Sequence, residues 1–206
     1  MQKVAKFLLL AVLLTPALAS AQLSLGPRTG YAFAMGEAGD GEDLADFIKG
    51  QIPFQFDIGY RVTPALTIGG YVSAAVGVVG DDFEDVCDED GVECGAALLR
   101  LGLQVDYRFI GGSATPWIGA GIGYEWARLR LDDYGSRAEV KRHGAELLNL
   151  QGGVEWKTGG PFSLGPFAML SIARYSAVEF DNDGEEIDDK GVHQWLQLGV
   201  RGRFDL

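Results

Sequence analysis

From about Leu23 to the last residue, apolar and polar side chains take turns along most of the chain. In one stretch Leu99, Leu101, Leu103, Val105, Tyr107 and Phe109 alternate with Arg100, Gly102, Gln104, Asp106 and Arg108. In another, Ile52, Phe54, Phe56, Ile58, Tyr60 and Val62 alternate with Gln55, Asp57, Gly59 and Arg61. A period of two places the two sets on opposite faces of a β-strand. The same rhythm predicts strands at about 23–35, 52–62, 66–78, 99–109, 118–126, 148–157, 162–178 and 192–206. In the seventh, Leu164, Ala168, Leu170 and Ile172 are assigned to the apolar face.

The connections alternate as strictly as the side chains. Thr63-Pro64-Ala65, Gly111 to Ala114 and Thr158 to Pro161 are short turns, as their proline and glycine content favours. Glu37–Gly50, Gly80–Gly95, Leu131–His143 and Phe180–Gly191 are longer loops. Eight strands so joined put both termini and every short turn at one end. Closing the sheet removes the unpaired edges an open one would expose. The predicted fold is all-β: an eight-stranded antiparallel up-and-down barrel over residues 22–206.

Ahead of it, Lys3 and Lys6 precede an apolar run from Phe7 to Leu14, and Ala19-Ser20-Ala21 offers small residues before Gln22. That is the pattern of a cleaved secretory signal peptide over residues 1–21, too short to cross a membrane. No later stretch reaches the roughly 20 continuous apolar residues of a membrane helix.

Alternation alone does not say which face is inside, and a soluble lipocalin-like barrel has the same period. Three features favour apolar-out. The strands have the roughly 9–11 residues needed to cross hydrocarbon when tilted. Tyr60, Tyr107, Phe109, Trp156 and Phe204 gather near the turns, and Phe33, Phe54, Tyr124 and Trp126 toward the loops, as two interfacial belts would. The polar face mixes charges with glycines such as Gly119, Gly121 and Gly123, which suits a narrow interior.

The last strand, Val192 to Leu206, ends with Phe204 and an apolar terminal residue. It resembles the closing strand of bacterial outer-membrane β-barrels, although Leu206 stands where an aromatic is usual. With eight strands, the chain is similar to the outer-membrane protein A barrel and to outer-membrane protein X. The resemblance implies a transmembrane barrel in a Gram-negative outer membrane, in contact with lipid and lipopolysaccharide, monomeric, with a structural or surface-interaction role. A narrow channel resembling outer-membrane protein W is the alternative, and a lipid A-modifying enzyme a further one.

Charge sharpens this picture. Without Lys3 and Lys6 there remain 15 basic and 29 acidic residues, a net charge of −14 that argues against nucleic acid. Counting Glu179 with the fourth loop, the loops hold 23 acidic and five basic residues, net −18, and the barrel +4. Solvated loops are the ordinary reading, and an extracellular protein or cationic ligand is the partner they suggest. Inside, Asp57, Arg61, Arg100, Asp106, Arg108, Glu155, Arg201 and Arg203 are expected to form an ion-pair network, since unpaired buried charge is costly.

Catalytic and metal chemistry find little support. Cys87 and Cys94 have no nearby Cys or His to complete a metal site, and in an oxidising compartment they are expected to form a disulfide. Asp181-Asn182-Asp183-Gly184 resembles part of a calcium loop, but Lys190 then falls where the bidentate Glu belongs. No metal and no cofactor is expected. A Ser–His hydrolase would want a serine beside histidine on one strand face. Ala145 and Trp195 stand two residues after His143 and His193, so both histidines are read as rim or interface residues, and no catalytic residue is assigned.

Overall fold

The computed structural model describes residues 22–39, 41–87, 91–133, 136–180 and 183–206; the expected signal peptide lies outside them. Eight long strands carry the fold: β1 (Gln22–Gly39), β2 (Ile48–Arg61), β3 (Leu66–Val79), β4 (Val92–Arg108), β5 (Ala114–Asp133), β6 (Ser136–Gly159), β7 (Phe162–Phe180) and β8 (His193–Asp205). Each pairs antiparallel with its neighbours in sequence. β8 pairs with both β7 and β1, with Leu164 opposite Gly202 and Gly30 opposite Gly199, so the sheet closes.

The alternation resolves as apolar-out. Phe54, Ile58, Ile68, Val76, Leu103, Ile118 and Ile122 are each at least half exposed, whereas Arg28, Asp57, Arg100, Asp106 and Arg201 are buried. In the seventh strand Leu164 faces out while Ser163, Phe167, Met169 and Ser171 face in, so its parity is as expected. Glycines admit the larger interior groups. A Cβ at Gly119 would collide with the Asp106 carboxylate, and one at Gly123 with the Tyr71 hydroxyl.

The loop regions are more ordered than the sequence pattern suggests. The expected third loop, Leu131–His143, is mostly strand: β5 runs to Asp133, β6 starts at Ser136, and Arg130 lies opposite Glu139. The outward apolar face ends there; Leu131 and Val140 pack inward against the buried cluster while the backbone ladder continues. In the fourth loop Asp183–Glu186 pairs with Ala177–Phe180 of β7. The first loop contains a short helix, α1 (Leu44–Phe47), and the second a longer one, α2 (Asp81–Cys87). A disulfide joins Cys87 to Cys94, with Cα atoms 5.6 Å apart.

At the loop end the interior turns apolar. Ala75, Ala96, Leu98, Ala127, Leu129 and Trp195 from the strands pack with Leu44 and Phe47 of α1, Ile48, and Ile187 of the fourth loop. Arg142 holds this cap from the side. Its guanidinium lies 4.8 Å from the Phe47 ring centre and pairs with Glu42. Lys49 ties the first loop to α2 through Asp81 and Glu84, at 3.4 and 2.7 Å.

Candidate functional site: the lumen

Inward residues from all eight strands meet in three tiers below the apolar cap. The strand pleat selects them: each lies two, or a multiple of two, residues from its inward neighbours on the same strand. A bulge is the exception. The register shifts between Glu146 and Leu148, so Glu146 and Asn149 both point inward although three residues apart.

The tier at the turn end centres on Asp205. Its carboxylate receives Arg61 at 2.6 Å, Arg108 at 3.1 Å and Arg203 at 3.0 Å. Arg203 also donates to Thr67 Oγ1 at 2.8 Å. In the middle tier Arg28 pairs with Asp57, and Arg201 with Asp106. Arg201 further lies 3.6 Å from both Asp57 and Glu155. Gln55 donates to Asp57 at 2.9 Å and Gln151 to Gln104 at 3.1 Å. The Trp117 ring lies 4.1 Å from the Arg201 guanidinium, an arrangement that attracts cations to the ring face.

The upper tier has two buried carboxylates. Glu125 pairs with Arg100, accepts from Tyr175 Oη at 2.6 Å and lies 3.2 Å from His193 Nε2. Tyr175 stacks on His193, with ring centres 4.2 Å apart. Glu146 is held instead by neutral donors: Ser171, Tyr71, and Asn149 at 3.1 Å. One cavity, lined by Ser24, Asp57, Thr67, Gln104, Asp106 and Arg201, has a volume of about 10 Å³. That is room for about one water.

No known protein family and no curated protein matches this sequence. Among solved structures, a major outer membrane protein from Thermus thermophilus is 14% identical, covers 91% of this chain and 100% of its own, and superposes with a TM-score of 0.60. The fold is that of the eight-stranded outer-membrane β-barrels. Neisserial surface protein A is also similar, at 15% identity, 88% and 95% coverage and a TM-score of 0.49. OprG from Pseudomonas aeruginosa follows at 13%, 88% and 95%, with 0.48.

In this outer-membrane-type barrel the eight charged residues singled out from the sequence all point inward, but they do not form one network. Asp57, Asp106, Glu155 and Arg201 share the middle tier, and Arg61, Arg108 and Arg203 converge on Asp205. Arg100 stands apart with Glu125. Sequence reasoning left Arg28, Glu125, Glu146 and Asp205 out of the set. The inward parity of β1, β5 and β8 would have found Arg28, Glu125 and Asp205; the bulge concealed Glu146.

One histidine is misplaced by the sequence reading. His193 is fully buried in the lumen rather than at the rim, because it shares the inward parity of Gln197, Arg201 and Arg203. His143 does face outward near the loop end, with Nδ1 2.6 Å from Tyr124 Oη and Nε2 3.7 Å from Glu179. Among the described residues, no cluster of three His, Cys, Asp or Glu could hold a metal ion. Asp88, Glu89, Asp90, Asp181 and Asn182 lie outside those residues.

Proposed function

We propose that the protein is an integral outer-membrane barrel whose role is structural or interactive, with a plugged lumen and acidic loops turned to the exterior. The observation that carries this reading is the filled interior. Three tiers of paired side chains and an apolar cap lie in series, and the cavity between the lower tiers has room for about one water. An eight-stranded barrel leaves an interior just wide enough for its own side chains, which agrees with that filling.

The belt of half-exposed Phe, Ile, Val and Leu is the surface a lipid bilayer would cover, and the short-turn end would then face the periplasm. Export through a signal peptide at 1–21, insertion as a monomer, and contact with lipopolysaccharide complete the proposal. The loops, net −18 by sequence, would meet an extracellular protein or another cationic partner.

Single-channel recording tests the plug. Refolded protein whose unboiled and boiled gel bands differ should stay silent in a planar bilayer. Reproducible steps that change in Arg100→Ala or Arg203→Ala would replace this reading with a narrow channel.

A further inference from the structure

The turn-end tier is built with more cation than its own carboxylate can neutralise. Arg61 on β2, Arg108 on β4 and Arg203 on β8 reach across the mouth to the single carboxylate of Asp205. Among the described residues it is the only carboxylate within 4.0 Å of any of the three. Three guanidiniums on one carboxylate leave a surplus of two positive charges. Arg203 is 1% exposed, and its Nη1 has no acceptor; neither have Nε of Arg61 and Nε of Arg108. Buried donors without acceptors are rare in folded proteins and point to a missing partner.

The cluster is also reachable. The Arg61 and Arg108 side chains are 14% exposed at the end of the barrel, and Asp205 is 23% exposed. Passage further in is blocked by the middle tier, where the adjoining cavity holds about 10 Å³. A ligand therefore stops at the mouth. The Thr67 hydroxyl, already bonded to Arg203 at 2.8 Å, stands at the same level. Guanidinium groups present paired N–H donors that match the oxygens of phosphate, and several of them favour a multiply charged anion over chloride.

We propose that Arg61, Arg108 and Arg203 form a binding site for a phosphate group at the turn-end mouth of the barrel. Asp205 spreads the three guanidiniums apart and competes with the ligand for them. Two sources could supply the group, free inorganic phosphate or the headgroup of a phospholipid in the adjacent leaflet. The site depends on the inward geometry of the three arginines and not on whether the lumen conducts.

Binding is measured by calorimetry on the refolded full chain in an uncharged detergent, at constant ionic strength. One arm adds inorganic phosphate, a second a short-chain phosphatidic acid, and a third sodium chloride. Saturable binding of phosphate or of phosphatidic acid, absent with chloride, is expected, and which of the two binds more tightly identifies the source. Arg61→Gln and Arg108→Gln should each weaken it by about tenfold or more, as loss of a charged hydrogen bond does. Asp205→Asn separates a ligand site from a merely structural ion pair, because removing the competing carboxylate should tighten binding. Each variant is read only on material that shows the folded gel band; Arg61→Gln, at the exposed edge, is the one chosen to retain it. Absence of saturable binding by the folded wild type in both phosphate arms overturns the proposal. So does equal binding by wild type and Arg61→Gln, or weaker binding by Asp205→Asn.

Discussion

Glu125 is the residue whose loss should be felt most widely in the lumen. Its carboxylate serves Arg100, Tyr175 and His193 together, and it is fully buried. Glu125→Gln keeps the shape and removes the charge, leaving the Arg100 guanidinium buried without its counter-ion. Breaking one side of a buried pair typically costs about 3–5 kcal/mol. Against a typical total of about 5–15 kcal/mol, that is a large share. The assay is urea unfolding in lipid vesicles, followed by tryptophan fluorescence and by the heat-dependent gel shift. The double variant Arg100→Met with Glu125→Gln removes both charges while keeping an oxygen to accept from Tyr175, and should recover most of the loss, since no buried ion is then left without its counter-ion. A loss under about 1 kcal/mol in the single variant, or a double variant as unstable as the single, would refute the view that Arg100 depends on Glu125 as its counter-ion.

Three further outcomes follow from the geometry. Phe47→Ala removes the aromatic that α1 seats in the mouth, a change of about 3–5 kcal/mol for a buried ring. Its effect should appear as faster proteolysis near residues 41–47 while the barrel's gel shift persists; unchanged cleavage would show that the cap is not held by Phe47. Gly119→Val should fail to give the folded band because the new side chain meets Asp106, whereas Gly111→Ala, with no atom within 4 Å of its Cβ position, should fold normally. Reducing Cys87–Cys94 should release α2 to proteases, with a local change of about 2–3 kcal/mol for so short a loop, and leave the unfolding midpoint of the barrel in place.

How much of this was readable in the sequence depended on where the two faces of a strand differ. From Leu99 to Phe109 one face is apolar and the other polar, and the inward set follows by counting. At Ala96-Ala97-Leu98-Leu99 both faces are apolar, so period two vanishes and the apolar upper storey went unforeseen. Beyond Ala127 the faces exchange, with Leu129 and Leu131 turned inward and Arg128 and Arg130 outward, so the outward apolar pattern stops and a paired hairpin reads as a loop. The counting rule itself was enough to put His193 inside, but its place near a loop suggested a rim. Which arginine meets which carboxylate was not legible. Arg108 and Asp205 lie 97 residues apart, and only the closure of β8 on β1 brings such pairs together.

The apolar cap has a consequence for anyone using this barrel as a display scaffold. Leu44, Phe47 and Ile187 belong to surface loops, yet they are packed among lumen side chains and are at most 4% exposed. A foreign epitope inserted at 44–48 or beside Ile187 would unseat part of the interior along with the loop it replaces. The α2 segment contains no buried residue, and its two ends are held by Gly80, bonded to Phe47, and by the disulfide. Grafts at 85–86 would therefore be presented from a fixed base while Glu84 keeps its bond to Lys49.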